Sequence, residues 1–323
     1  MRILRMLPGR LVTALAVVVG ASILIFVAVR SLPGDFAQLL LGPLASDAAK
    51  DAIRETFRLD RSLPEQYWAW MTSALHGDFG ISVASQNPVL DEFALRAPTT
   101  VLLAVMAMII TLAVGIPLGI YAGTRPARGR SAITGRLLGS IGISVPEIVL
   151  GSLVVYLFSR FDLGLSVTGF VSPRDDVGAA LVSLLLPALV LSVFCVAATA
   201  RTTRDAVMGV LVEPHILAAV ARGERPAFIV RHHVLRNALI PVFTFTATIF
   251  AYLLGGAVLV ESVFSVPGLG SYLVQGLGRR DIAVVQTGVL LATVIFVLCS
   301  LVIDVVTALV DPRITPGRKR GLA

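Results

Sequence analysis

Lysine is almost missing from this chain. Lys50 and Lys319 are the only two in 323 residues, and neither ends a Gly-rich turn, so the chain carries no P-loop of its own for ATP. Charge of either sign is scarce: Asp, Glu, Lys and Arg make up 15% of residues, where a soluble domain carries roughly 25%. Cys195 and Cys299 both fall in apolar runs. They read as small apolar fillers, with neither a disulfide nor a metal site supported. His76 lies far from His232 and His233, and adjacent residues of a helix point apart, so the histidines form no ligand cluster. Strand-length alternation of polar and apolar residues is lacking, which argues against a β-barrel. Internal repeats and matched broken halves are also lacking, which argues against a carrier built on inverted repeats. A membrane enzyme would need paired acids or a His/Asp set at matched depth, and none is visible.

Apolar length is what the chain has. It is 56% hydrophobic with a mean hydropathy of +0.87. Spanning a bilayer takes about 20 apolar residues, and six stretches are expected to do so: Leu11–Val29, Thr99–Tyr121, Leu137–Phe158, Leu181–Ala200, Ala238–Val260 and Ala283–Val310. The first follows Arg2, Arg5 and Arg10 as a signal peptide would. Its run is too long for a signal core and no small-residue cleavage site follows, so it is expected to stay as a helix. The expected fold is an all-α integral membrane protein of six helices, with residues 30–98 as an external insert between the first two.

The connecting segments alternate in charge. The N-terminus (1–10) holds three Arg, whereas Ser31–Pro98 holds five basic and nine acidic residues. Thr124–Arg136 has four Arg and no acid, Arg160–Ala180 a net −1, Arg201–Asn237 a net +3, Glu261–Ile282 zero and the C-terminus (311–323) a net +3. Basic loops stay in the cytoplasm, so both termini and the 201–237 segment are expected there. Topology explains these charges more simply than a nucleic-acid partner would.

Within the insert, Ser46 can cap a short helix through Arg58, and a second helix opens at Pro64 in the first-turn position that suits proline. Trp68 and Trp70 lie on the second. An aromatic amphipathic helix beside a span fits the membrane interface, and a cap over a pathway or a landing surface is the alternative.

Three groups of residues carry the functional argument. In the 201–237 segment, Glu213-Pro214 starts a helix with an acid against the N-terminal dipole. Ile216, Ala219 and Val220 then form an amphipathic rod, Gly223 suits a left-handed cap, and Pro226 stops the helix before a second stretch runs into the fifth span at Asn237. Such a rod can be a lever between two spans, or an ordinary helix packed under its own domain. Second, Gly115, Gly119 and Gly123 form a row on one face of the second span, with Gly135 and Gly139 opening the third. Rows of small residues let helices approach closely in lipid. The Gly268-Leu269-Gly270 pair falls in an external loop, where a turn accounts for it. Third, Ser140, Ser144 and Glu147 share a face of the third span, and Asp304 sits in the sixth. Polar groups in a span are costly. That serine–glutamate face lines a wet cavity for a peptide backbone, bonds between helices, or places Glu147 at headgroup level.

The segment Ala218-Ala219, Gly223, His233-Val234-Leu235-Arg236-Asn237 resembles the EAA loop of ABC importer permeases. The likeness extends along the chain. It includes Leu32-Pro33-Gly34-Asp35, Leu59-Asp60, Gln66-Tyr67, His76-Gly77-Asp78-Phe79-Gly80-Ile81-Ser82 and Pro88-Val89. It continues through Gly115-Ile116-Pro117-Leu118-Gly119, Leu186-Pro187-Ala188, Arg201-Thr202-Thr203-Arg204, Pro267-Gly268-Leu269-Gly270, Arg280-Asp281, Val285-Gln286 and Asp311-Pro312-Arg313-Ile314. The chain is thus similar to the B-type permease of dipeptide/oligopeptide (peptide/nickel) ABC importers. It departs from the loop pattern at Leu217, where Glu is general, at His215, where Tyr is common, and at Pro226.

The resemblance implies the type I importer permease fold in a bacterial plasma membrane. It implies a second, similar permease subunit, two ATP-binding subunits (or one fused) that hold ATP and Mg, and an extracytoplasmic substrate-binding protein. It gives Glu213, Ala218, Ala219, Gly223, His233 and Asn237 to coupling with the ATPase, and no cofactor or catalytic group to this chain. Short peptides are the implied cargo, with nickel, glutathione, haem or a sugar as alternatives.

Overall fold

A computed structural model describes residues 2–31, 46–56, 61–125, 144–161, 163–165, 167 and 169–310. Among them the chain is helical, with one isolated bridge between Ile81 and Pro88. The helices are α1 (Arg2–Arg30), α2 (Asp47–Thr56), α3 (Leu63–Leu75), α4 (Val89–Ile110), α5 (Ile116–Thr124), α6 (Glu147–Arg160), α7 (Val177–Ser183) and α8 (Leu185–Leu211). They continue as α9 (Pro214–Ala221), α10 (Pro226–Ile229), α11 (Leu235–Val263), α12 (Leu269–Gly278) and α13 (Ile282–Val310). Two π-helical turns, Thr111–Gly115 and Val230–Val234, join α4 to α5 and α10 to α11 without a break.

Five helices among the described residues are long and apolar enough to cross a membrane, where six were expected. The exception is the expected third span: its described part is the 14-residue α6, and residues 137–143 lie outside the description. Gly135, Gly139 and Ser140 lie outside it too, as do the Leu32–Asp35, Leu59-Asp60 and Asp311–Ile314 motifs. Several helices run past the expected span ends. Residues 201–211 continue α8, and the helix that becomes α11 begins at Pro226. Hydropathy marks where lipid ends, whereas backbone hydrogen bonding carries a helix into water until a cap or a proline stops it.

The glycine row makes the tightest contact between spans. A Cβ on Gly115 would lie 3.1 Å from Thr199 Cβ, on Gly119 2.4 Å from Thr203 Cβ, and on Gly123 2.8 Å from Val207 Cβ. Rising numbers pair with rising numbers, so α5 and α8 run parallel along this seam. Within it, Pro117 has no N–H to give, and the preceding turn widens to the π form. The Thr111 hydroxyl donates to the Ala107 carbonyl at 2.7 Å in that stretch.

Outside the seam, Leu103, Ala104 and Ala107 of α4, Leu191 and Cys195 of α8, and Leu253, Ala257 and Val260 of α11 build the main core. Helix α1 stands at the edge against α13, where Arg10 meets Asp304 at 2.7 Å. That pair puts the start of the first helix beside the end of the last. The insert helix α3 rests on the other half of α1 through Ser22–Tyr67 (2.8 Å) and the Phe26, Tyr67 and Trp70 rings, while Trp68 stays exposed.

Gly119→Ala should therefore destabilise the chain by about 1–3 kcal/mol, the usual range for overpacking. Gly20→Ala, where nothing lies within 4 Å, should not. Thermal unfolding of the two variants in detergent checks this.

Candidate functional site

Helix α9 lies across one end of the bundle, in the connection from α8 to α10. Pro214 is at its first turn and Glu213 is its extended N-cap residue. The Glu213 side chain makes no cap bond and instead meets His215 Nδ1 at 3.1 Å. At the other end, Gly223 has φ +74, its N–H donates to Val220 O at 2.9 Å, and the Glu224 N–H donates to Ala219 O at 3.2 Å. This is the Schellman arrangement, and the positive φ is what demands glycine there.

Ile216 and Ala219 are buried against Val207 and Val210 of α8, Ile229 and Val234 at the next turn, and Ala238 of α11. The uncovered side is apolar as well: Leu217 is 62% exposed and Val220 59%. Val220 was expected to pack with Ile216 and Ala219. An eight-residue helix on this seat buries a stripe only two side chains wide, and Val220 falls on its flank. Ala218 is exposed beside it.

Glu224 was counted in sequence only as a charge, and it is the electrostatic centre of this arm. It takes the Arg222 guanidinium at 2.6 and 3.0 Å and meets His233 Nε2 at 3.0 Å. His233 thereby joins the cap of α9 to the root of α11. His232 stacks on Phe228, with ring centroids 4.2 Å apart. Asn237 does not reach α9: its amide donates to His233 O at 3.3 Å on an exposed flank. Pairing with Arg222, then with His233, holds the Glu224 carboxyl below its ordinary value.

Of the serine–glutamate group, Ser144 is exposed, and Glu147 in the first turn of α6 accepts from the Tyr252 hydroxyl at 3.1 Å. Tyr252 also packs on Phe194, 5.1 Å between centroids. An interhelical bond, one of the alternatives for Glu147, is thus present. The Gly268-Leu269-Gly270 stretch differs from expectation. It opens a ten-residue helix, α12, where an external loop was expected.

The model of the binding-protein-dependent transport system inner membrane component matches residues 115–316, and its N-terminal counterpart matches 3–104. The chain belongs to this family. Within it, this permease is 37% identical over 307 residues to a probable peptide ABC transporter permease, y4tP, of Sinorhizobium fredii strain NGR234, covering 94% of this chain and 97% of the relative. It is 37% identical over 294 residues to the glutathione transport system permease GsiC of Escherichia coli strain K12, covering 91% and 93%. Among solved structures, the inward-facing MetNI methionine ABC transporter aligns with a TM-score of 0.53 at 21% identity, over 66% of this chain and 93% of that one. An amino acid ABC transporter aligns with 0.54 at 14% identity, over 67% and 93%. These two establish the fold as that of ABC importer membrane subunits. The chain is a multi-pass permease of the peptide/nickel type.

A depressed carboxyl pKa contributes to the folded arm at neutral pH, and that contribution is lost as pH falls through the folded value. Acidification below the ordinary carboxyl value of 4.5 should therefore loosen α9, and Glu224→Gln should be loose at neutral pH already. Amide exchange of residues 214–224 against pH measures both.

Proposed function

We propose that this permease carries short peptides, glutathione-like ones included, into the cell as one half of the translocation pathway. A second, similar permease supplies the other half, and an extracytoplasmic binding protein delivers the cargo. ATP and Mg are held by separate ATPase subunits, and this chain contributes geometry and coupling without bond chemistry. It sits in the bacterial plasma membrane with both ends in the cytoplasm. The cargo class rests on the near-end-to-end likeness to a peptide and a glutathione permease. Membership of both chain ends on one side is supported by the Arg10–Asp304 contact and by the basic end segments.

The observation that carries the coupling role is the two-sided character of α9. Its inner face grips α8 and the root of α11, and its outer face offers Leu217 and Val220 uncovered, with Val212 beside them at 76% exposure. Burying such side chains stabilises by about 1.5–3 kcal/mol each, so a partner that covers this face gains a firm hold. A push on α9 passes to α8 through Val207 and Val210, and to α11 through Val234 and the Glu224–His233 contact. Leu217 stands where the general loop pattern has Glu, so the ATPase contact at that position is apolar and not ionic.

Vesicles holding the whole importer, given ATP and labelled dipeptides or glutathione, test the cargo. ATP-dependent accumulation of either supports it, and none of both sinks it. Gly223→Leu forces a branched side chain into φ +74. It should leave ATP hydrolysis and cut uptake by about tenfold or more, in line with a strain of 1–3 kcal/mol. Wild-type uptake in that variant would remove α9 as the lever. Glu147→Ala separates the two roles of the α6 face: a fall in cargo-stimulated hydrolysis at equal thermal stability assigns it to the path, and a fall in stability alone assigns it to helix packing.

A further inference from the structure

The end of the bundle opposite α9 holds two buried carboxylates that coupling and cargo leave unexplained. Glu261, near the end of α11, is completely buried, and Asp281, just before α13, is 1% exposed. Hydrogen bonds meet both carboxyl groups. Thr100 of α4 donates to Glu261 Oε1 at 2.5 Å, and the Ser271 N–H donates to Oε2 at 2.9 Å. The Thr100 oxygen in turn accepts from the Leu269 N–H at 2.8 Å. One hydroxyl therefore ties α4, α11 and the start of α12 together. At the other end, Asp281 Oδ2 accepts from Ser82 Oγ at 2.7 Å and from the Ala84 N–H at 3.2 Å, while Oδ1 accepts from the Val284 N–H at 3.3 Å. The Asp281 N–H donates back to Gly276 O at 2.8 Å.

The two acids bracket α12, and each faces the N-terminus of a helix, where a negative charge is favoured. The seat leaves no spare room. A Cβ on Gly268 would lie 2.2 Å from Glu261 Cδ, and one on Gly270 2.4 Å from the Val258 backbone. Next to this network, Arg96 pairs with Glu92 and lies 4.2 Å from the Tyr272 ring centre, adding a further tie between α4 and α12.

We propose that Glu261 and Asp281 are positioning residues that fasten α12 as a rigid crossbar joining α4, α11, α13 and the 80–88 turn, so that this end of the permease moves as one block during transport. A buried hydrogen-bond network holds its members together because parting any of them strands a buried polar group. Among the described residues the α9 end has no such lock, since its ion pairs are exposed or half-buried. The block is thus the part that keeps its shape, while the α9 end responds to the ATPase. This rests on the transport function above, and the test separates the two.

The importer with its native ATPase partners is reconstituted in vesicles at equal complex amounts. Wild type is compared with Thr100→Val, Thr100→Ser, Ser82→Ala and Glu261→Gln, with labelled dipeptide and glutathione as probes. Thr100→Val removes both bonds of the hydroxyl at nearly constant volume, and Thr100→Ser keeps them. Thr100→Val and Ser82→Ala are expected to lower cargo moved per ATP hydrolysed and to raise amide exchange of residues 269–278, each by about tenfold, the scale of one unsatisfied buried group. Thr100→Ser is expected within about twofold of wild type in both, and Thr100→Val with Glu261→Gln no worse than the weaker single variant. Unchanged exchange in Thr100→Val overturns the proposal. So does raised exchange with unchanged cargo per ATP, or equal damage in Thr100→Ser. No change in Ser82→Ala overturns the Asp281 half. If wild type moves neither probe, the cargo assignment fails and the exchange measurements alone decide the crossbar. If Glu261→Gln does not assemble, the two Thr100 variants decide it.

Discussion

Helices α5 and α8 come so close that only glycine fits between them, and the α9 end of the molecule is built on that approach. Lipid tails are as apolar as leucine, so spans gain little from hiding apolar surface from one another; close van der Waals packing must hold them. Gly115, Gly119 and Gly123 let the α5 backbone settle on Thr199, Thr203 and Val207. The same α8 continues beyond the seam and offers Val207 and Val210 as the seat of α9. The position of the arm relative to the spans is thereby set by three missing side chains. A parallel pair of helices held over two turns also carries a displacement from one to the other with little loss.

The two ends of the bundle are fastened by different physics. At the α9 end the ties are apolar contacts with exposed to half-buried pairs around Glu224, and surface pairs contribute about 0–1 kcal/mol. At the α12 end the ties are buried carboxyl groups with hydrogen-bond donors, where leaving a group unsatisfied costs about 1–3 kcal/mol. A weakly tied end can shift when something pulls on it, and a strongly tied end transmits the shift as a unit. A permease driven from one side of the membrane needs both. The apolar outer face of α9 and the buried carboxyl network around α12 give that division a chemical form.

Parts of this were legible in the residues. The row of three glycines announced a close helix contact, though not the helix it meets, because a four-residue spacing along one face says nothing about neighbours. Gly223 was legible as a left-handed cap, since the φ it adopts is one that few other residues accept. The α12 helix was not: Pro267-Gly268-Leu269-Gly270 carries the marks of a turn, and its helicity follows from burial of Tyr272 against Phe93 and from the Glu261 contact. Thr100 and Glu261 stand 161 residues apart, and nothing local to either points to the other. The outward turn of Val220 and the contact of Glu224 with His233 depend likewise on how α9 sits on its neighbours.

Sequence alone determined that this chain lives in a bilayer, which of its loops are basic, and that it holds no P-loop, because those properties depend on composition and run length. It also determined the family, through motifs kept in order along the chain. Only the tertiary structure decided which side chains meet across the bundle, which face of α9 is left uncovered, and where buried acids find their donors. Those are contacts between residues distant in the chain, and they exist only once close packing has brought the helices into one particular register.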